Sequence, residues 1–537
     1  MTVIDLKGKG LKFRDLVKQD EVLMPANWPG DEEIDRFTFN SKDVAEGDIF
    51  LAVPPLDKSL TGIDYITQAV NQNAKIVIKE SQAPTPTNLG GTLFIDIANA
   101  RHLKALIAKR IYKGQPKVIV GVTGTNGKTS VAEFMRQLWD QMGYKAATLG
   151  TLGIKSSVDL KGLPDVTQTS PDPFVLHQAL SMMKEQGITH LAIEASSHGI
   201  DQNRLDGVNF TSCAFTNLSH DHLDYHGNMD LYFEAKRRLF ASLMEEGDTA
   251  VLNADTNYFD ILSQVCRARG IHVLPYGKRT EEGIQLNDLV IEGPCQKAIL
   301  SINHEKHVAE FSFIGKFQVL NALCAMGLMM GTGVSHLKIL PLLKNLKPVS
   351  GRLELMGITK AGGAVYVDYA HTPEALSEVL LSVRPYVSGM LTLVFGCGGD
   401  RDVQKRPLMG KIAAEYSDAQ IITDDNPRSE EPAKIRSEIM ATCSNPVEIG
   451  DRAKAISKAI KRLTKNDACV IAGKGHETTQ TVGDRVNHLD DRELARQVIE
   501  ATGGNCFLCL IRFARPLFGA AMIFKKRPRG RLYPLFL

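Results

Sequence analysis

The sequence predicts an α/β chain of several domains. Three observations carry this. The 537 residues are about three times an ordinary domain. From about Lys117 the pattern becomes strand, glycine loop, helix: Val118–Val122 is a β-branched run, and Val131, Phe134, Met135, Leu138 and Met142 follow at helical spacing. Near Pro348 a further alternation begins, with Val365–Asp368, Leu391–Phe395, Gln420–Thr423 and Ala468–Ala472 as candidate strands separated by lengths that fit crossover helices. Ahead of both, the short apolar runs Ile49–Val53, Lys75–Ile78 and Thr92–Ile97 suggest a small α/β domain, with Pro84, Pro86, Gly90 and Gly91 forming a loop inside it. Leu191–Glu194 and Cys213–Asn217 read as buried strands of a mostly parallel sheet. Boundaries near 105 and 347 then give segments 1–104, 105–346 and 347–504, with a tail at 505–537.

Composition narrows the classes. Hydrophobic residues at 43% and charged residues at 23% fit a globular chain and exclude disorder, collagen-like sequence and a rod. Lys and Arg number 63 against 61 Asp and Glu, so no nucleic-acid partner is expected. The tail holds seven basic residues (Arg512, Arg515, Lys525, Lys526, Arg527, Arg529, Arg531) and no acidic one, which leaves the body mildly acidic. It reads as a basic membrane-surface segment or a frameshifted or read-through end. Phe507–Phe524 is the nearest approach to a membrane span, and Arg512 and Arg515 interrupt it, so no stable insertion is expected. Nine cysteines without metal spacing, apart from Cys506 and Cys509, and a start without an apolar core point to a reduced, cytoplasmic protein.

The strongest local signal is Gly121-Val-Thr-Gly-Thr-Asn-Gly-Lys-Thr-Ser130. Glycines let backbone approach phosphates, successive N–H groups form an anion nest, and the next helix presents its positive end. Lys128 suits β/γ-phosphate charge, and the Thr129 hydroxyl suits Mg²⁺. The strict Walker pattern needs glycine where this chain has Val122, so the loop is a variant. Glu194 ends an apolar strand, where ligands gather in α/β sheets, and is a candidate Mg²⁺ ligand or a helix-capping carboxylate. Three histidines and two aspartates crowd His220–His226, but no cysteine or His-x₃-His pair recurs nearby to support zinc.

Together, Gly-Thr-Asn-Gly-Lys-Thr, Glu-Ala-Ser-Ser-His-Gly and Asn-Leu-Ser-His-Asp-His-Leu-Asp-Tyr-His-Gly resemble the Mur ligases, ATP-dependent amide-bond synthetases of bacterial cell-wall assembly. The resemblance covers roughly 20–500. It implies a three-domain Mur ligase architecture, with an N-terminal UDP-substrate domain, a P-loop central domain and a Rossmann-like C-terminal domain. It implies ATP at Gly124, Thr125, Asn126, Gly127, Lys128, Thr129, Ser130, Asn321, Arg352, Asp368 and His371. Two Mg²⁺ ions are implied, held by Thr129, Glu194, His222 and Lys236, the last as a carbamate formed with CO₂. Read from spacing alone, Lys236 is a surface helix lysine. The catalytic set is then Lys128, Glu194, His222 and Lys236.

The same resemblance implies a UDP-linked muramoyl peptide as acceptor, contacted by Ser41, Thr169, Ser170, Ser196, Gln202 and Arg204. Asn40 and Lys42 replace the more usual Asp and Arg beside Ser41, and Pro54–Leu60 departs from the expected glycine-containing loop. Gln318 replaces a frequent Asn in Gly315–Asn321. Asp425-Asn426-Pro427-Arg428 is the pattern of members that add meso-diaminopimelate, whose second carboxylate an arginine can bind bidentately. Arg401, Gly473 and Glu477 complete that pocket. The expected enzyme is a monomeric ligase joining meso-diaminopimelate to UDP-N-acetylmuramoyl-L-alanyl-D-glutamate through an acyl phosphate. The rivals are a lysine-adding relative, a folylpolyglutamate synthase and a non-catalytic nucleotide switch.

Overall fold

The computed structural model describes residues 3–23, 28–55, 62–87, 90–292, 295–506, 523–526 and 532–535. The chain divides into two compact units, one of Met1–Gly121, Tyr144–Thr211 and Ala235–Glu245, the other of Val122–Gly143, Ser212–Glu234 and Glu246–Leu537.

The first unit opens with a five-stranded sheet. Strands Val3–Asp5, Arg36–Thr38, Ile49–Leu51, Ile76–Glu80 and Leu93–Ile97 lie in chain order; the first pair is antiparallel and the others are parallel. Helix Ala100–Ile111 covers it, starting where the Asn99 side chain accepts from the His102 N–H. Its buried Leu103, Ile107 and Ala108 join Phe13, Phe37 and Phe174 in one core. Phe174 stands in helix Pro173–Glu185, which Pro173 and an Asp172 cap initiate. Strand Ala146–Gly150 pairs parallel with His190–Glu194 and antiparallel with Gly153–Ser156.

In the second unit, strands Ser212–Phe215, Thr249–Asn253, His272–Gly277 and Ile284–Glu292 run parallel. Cys295–Ile302 and Glu305–Phe311 then extend this row antiparallel at one edge, on a sheet whose other strands in this row are parallel as expected. The cause is local. Asn303 and His304 both take positive φ (50° and 67°), the two-residue turn that closes a hairpin. The later sheet has seven strands, in the order Val447–Glu448, Ala419–Ile422, Leu391–Phe395, Ala468–Ala472, Ala364–Asp368, Glu354–Ile358 and Asn505–Cys506. Its central strands are parallel and buried on both faces, as their near-continuous apolar sequence requires.

The last strand corrects the sequence reading of the tail. Asn505 and Cys506 pair with Ile358 and Gly357, and Cys506 is buried in the core beside Ile499. Cys509 and nearly all of Phe507–Phe524 fall outside the described residues, as do 56–60 of the Pro54–Leu60 loop. Among the described residues no helix is long and apolar enough to cross a membrane.

Candidate functional site

Strand Val118–Thr123 ends in the phosphate loop, and helix Lys128–Gln141 begins directly after it. Gly124 has φ 147°, and a Cβ there would lie 1.9 Å from Thr216 Oγ1; Gly127 has φ 91°, and its Cβ would lie 2.5 Å from Asn321 Oδ1. Both positions therefore demand glycine. The loop is braced from the next strand end. Asn217 accepts from the Thr125 N–H with its carbonyl and from the Asn126 N–H with Oδ1, both at 2.9 Å, while Thr216 Oγ1 donates to Asn126 O. Thr125 Oγ1 is 3.1 Å from the Tyr232 hydroxyl. Lys128 Nζ donates to the carbonyls of Gly124 and Thr125 at 2.9 and 2.8 Å. Thr129 Oγ1 accepts from Arg352 at 3.0 Å, and Ser130 is buried behind it.

Arg352 is in turn set by its surroundings. Its guanidinium lies 4.3 Å from the Tyr369 ring centroid, and its carbonyl accepts from Gln318, whose Oε1 accepts from Asn321. Asp368 sits at a strand end with both carboxylate oxygens taking backbone N–H groups, from Leu353 and Ala370, at 2.6 Å. Burial pushes its carboxyl up to about 6, against the opposing pull of Arg352.

The histidine-rich loop brings two expected site residues, His222 and His371, to one carboxylate, that of Asp221. His222 adopts φ 54°, with Nε2 3.3 Å from Asp221 Oδ2, and His371 Nε2 approaches the same oxygen at 3.8 Å. Burial would raise the Asp221 carboxyl, but His371, His222 and Lys405 outweigh it and hold the group well below the usual carboxylate range. His220 Nε2 lies 2.5 Å from Asp402 Oδ2, next to the glycine-rich Gly396–Arg401 loop.

In the first unit, Glu194 is buried, with Oε1 accepting the Thr151 N–H at 2.9 Å and Oε2 its hydroxyl at 3.1 Å. Thr151 Oγ1 also meets Thr169 Oγ1 at 3.0 Å. Ser170 Oγ donates to Glu194 O and receives the Ser196 hydroxyl, both at 3.0 Å. Arg204 donates to Gln202 and to the Ser170 carbonyl. Arg204, Gln202, Gln168 and Asp172 line a cavity of about 240 Å³ together with Arg101 and Lys104. Lys104 Nζ reaches Asp172 at 2.6 Å, and Arg101 donates to Pro54 O at 2.7 Å. Ser41 is buried, its hydroxyl donating to Gln68 at 2.8 Å.

Lys236 is 1% exposed, which overturns its reading as a surface lysine. Tyr232, Lys236 and Phe240 fall four residues apart, so the lysine belongs to the buried stripe. Each unit taken by itself offers donors of the kind that Mg²⁺ takes. Thr129 and Glu194 offer the oxygen ligands that a hard cation prefers, and His222 stands beside an ionised carboxylate.

The third cluster lies at the C-terminal ends of three strands. Asn426 Nδ2 donates to Glu477 at 3.0 Å, and the fully buried Lys474 bridges Asn426 Oδ1 and Glu477 Oε2 at 3.2 and 3.0 Å. A Cβ on Gly473 would come within 2.7 Å of Asp425. After Pro427, Arg428 takes φ 53° and donates from its guanidinium to Gly399 O at 2.6 Å. Its backbone is held on both sides by hairpin Thr479–His488, through Thr481 O and the Gly483 N–H. Gly398 leaves room between Arg428 and the exposed Arg401.

The pattern of the Mur ligase middle domain matches residues 122–329, and that of the Mur ligase glutamate ligase domain matches 351–475. A UDP-N-acetylmuramoyl-L-alanyl-D-glutamate–2,6-diaminopimelate ligase of Bradyrhizobium diazoefficiens is 43% identical over 486 residues, covering 90% of this chain and 98% of that one. The chain belongs to the Mur ligase family. A Mur ligase of the same description from Rhizobium meliloti is 42% identical, with 91% and 99% covered. The solved structure of another such ligase aligns at 29% identity and a TM-score of 0.64, covering 92% of this chain and all of that one. Folylpolyglutamate synthase of Mycobacterium tuberculosis shares the fold, at 16% identity and a TM-score of 0.55, over 70% of this chain and 92% of its own.

Sequence reasoning missed several residues of the candidate site in this Mur ligase. Asn217 and Thr216 brace the phosphate loop, Asp221 joins His222 to His371, and Lys474 holds the 426–477 pair. Asp221 and Lys474 lay inside quoted motifs, and their burial was the missing signal. Arg101 and Lys104 carried none, because on a helix they read as solvated charge.

Proposed function

We propose that this Mur ligase joins meso-diaminopimelate to UDP-N-acetylmuramoyl-L-alanyl-D-glutamate with ATP, in the cytoplasm, as a monomer. The observation that carries the substrate choice is the Asp425–Arg428 segment, folded at the strand ends with Arg428 clamped beside Gly399. Segments 1–104, 105–346 and 347–506, the last extended by the strand Asn505–Cys506, serve as the UDP-substrate, ATPase and amino-acid domains.

The acceptor occupies the cationic cavity of the first unit, where Arg204, Arg101 and Lys104 meet its negative charge, with Thr169, Ser170, Ser196 and Gln202 ordering its peptide. Ser41 takes part on the uridine side. The phosphate loop binds ATP, and Lys128 exchanges its loop carbonyls for phosphate oxygens. Arg352 places its charge on phosphate, Asp368 and His371 face ribose and adenine, and Asn321 closes the loop beside Gly127. The D-glutamate side carboxylate takes the γ-phosphoryl group, ADP leaves, and an acyl phosphate forms. The diaminopimelate amine then attacks that carbonyl, loses a proton and expels inorganic phosphate. When bound, Mg²⁺ neutralises the charge of the transferring phosphoryl group. Thr129, Glu194, His222 and carbamylated Lys236 are the residues that would hold it. Arg428 and Arg401 take the far and near carboxylates of the amino acid, and Glu477 its ammonium.

The deciding experiment compares wild type and Arg428→Ala with both amino acids. Losing one partner of a buried charge pair costs about 2–5 kcal/mol, so kcat/KM for meso-diaminopimelate should fall by roughly 30- to several-thousand-fold, with ATP binding little changed. Lysine should stay a poor substrate, since removing an arginine builds no site for an ammonium. A wild-type preference for lysine would overturn the substrate assignment.

A further inference from the structure

The hairpin that the sequence reading missed carries a second set of ligating side chains. In strand Glu305–Phe311, residues 305, 307, 309 and 311 share one face by the two-residue period. Ala309 and Phe311 on that face are buried, while Val308 on the other is exposed. Glu305 and His307 therefore face the segment that follows the long helix Lys316–Gly331. The first residue of helix His336–Ile339 completes the group: the rings of His307 and His336 are 5.3 Å apart between centroids, with planes at 66°. Among the described residues, Nε2 of both rings is buried without a hydrogen-bond partner. Glu305 Oε2 lies 3.8 Å from His307 Nε2, and one ligand atom from each of the three side chains fits within 4.8 Å of the others.

Two buried ring nitrogens left without partners, on adjacent imidazoles beside a carboxylate, ask for a bound species. Imidazole nitrogen suits zinc and its first-row neighbours better than Mg²⁺ or Ca²⁺, and two histidines with one glutamate is a complete three-ligand zinc set. We propose that Glu305, His307 and His336 form a binding site for one zinc-class divalent ion, with water as the fourth ligand. The ion clasps strand Glu305–Phe311 to the segment that starts at His336. The site shares no residue with the proposed nucleotide, acceptor or amino-acid contacts, so its role is to fasten this face of the sheet.

The test uses the full chain, stripped with chelator and dialysed against Zn²⁺ alone. Wild type should retain one more equivalent of zinc than the His307→Ala/His336→Ala double variant, and zinc should raise its Tm more. The difference removes zinc taken up elsewhere, including at the proposed Mg²⁺ ligands. Both proteins should turn over at the same rate with ATP, Mg²⁺ and both substrates. Joint loss of two packed rings risks the fold, so Glu305→Gln, at an exposed side chain, is the second variant. It should weaken that zinc by more than the roughly 10–100-fold that an outer-shell partner costs. The Co²⁺-loaded wild type should show the intense visible bands of a four-coordinate ion, absent from the double variant. Equal zinc stoichiometry in wild type and double variant, or an unchanged zinc affinity in Glu305→Gln, overturns the proposal.

Discussion

Burial and the guanidiniums of Arg352 and Arg492 bring the imidazole of His476 down to about 3, against 6.5 for an open ring, and among the described residues its buried Nδ1 has no hydrogen-bond partner. The unfolded chain takes up this proton below 6.5 whereas the folded chain does not. Stability is therefore fully present above 6.5 and falls as the pH drops toward 3, by up to about 1.4 kcal/mol per unit from this ring. His476→Gln should flatten the acid limb of Tm against pH between 6.5 and 5; superimposable limbs would remove the ring from the account. A second residue-scale expectation concerns Lys236. If its carbamate is a ligand, Lys236→Ala loses nearly all turnover, and a small carboxylate in the buffer restores part of it. Full turnover in the alanine variant would reject the carbamate. This residue also marks a limit of reading by motif: Lys236-Arg237-Arg238 looks like a solvated run, and only the four-residue spacing from Tyr232 to Phe240 tells its first member apart.

At the scale of elements, strand positions were largely legible in the sequence. Val118–Thr123 and Ala468–Ala472 stand where short β-branched or apolar runs put them, because strands buried on both faces leave an unbroken apolar signature. The Cys295–Ile302 and Glu305–Phe311 hairpin was not legible as a run, since one face is polar and the signal is alternation. Hairpin Thr479–His488 is more exposed still, yet it fixes Arg428 in a left-handed backbone that costs a bulky residue roughly 1–2 kcal/mol. The phosphate loop shows the opposite case, a motif readable to the residue whose brace was not. Gly124→Ala should abolish ATP turnover in a chain of near-wild-type secondary structure, because its Cβ would overlap Thr216 Oγ1 at a φ that disfavours side chains. Retained phosphate release would show that the loop has slack.

For the whole molecule, residue identity foretold far more of the candidate site than contact geometry did. The motif residues of Asp425–Arg428 and Gly473–Glu477 are legible in the sequence, but their joining through a fully buried lysine depends on the three-dimensional meeting of distant strand ends. The same holds at the C-terminal side, where a motif ends before the fold does. A chain ended after Cys506 should keep its turnover. One ended at Gly504 loses the strand paired with Gly357 and Ile358, and with it the buried Cys506, so its Tm should fall by a few degrees for each ~1 kcal/mol lost. Equal melting of the two shortened chains would make residues 505–506 ornamental.

In the proposed reaction, the lysine of the phosphate loop has a consequence for the end of each cycle. The Lys128 ammonium donates to the carbonyls of Gly124 and Thr125. ATP must outcompete them, so its net gain at this point is a difference between two sets of contacts. ADP lacks the terminal phosphoryl group and has fewer oxygens to offer in that exchange. Return of the ammonium to its own loop then acts as an internal competitor that favours discharge of spent nucleotide over its retention.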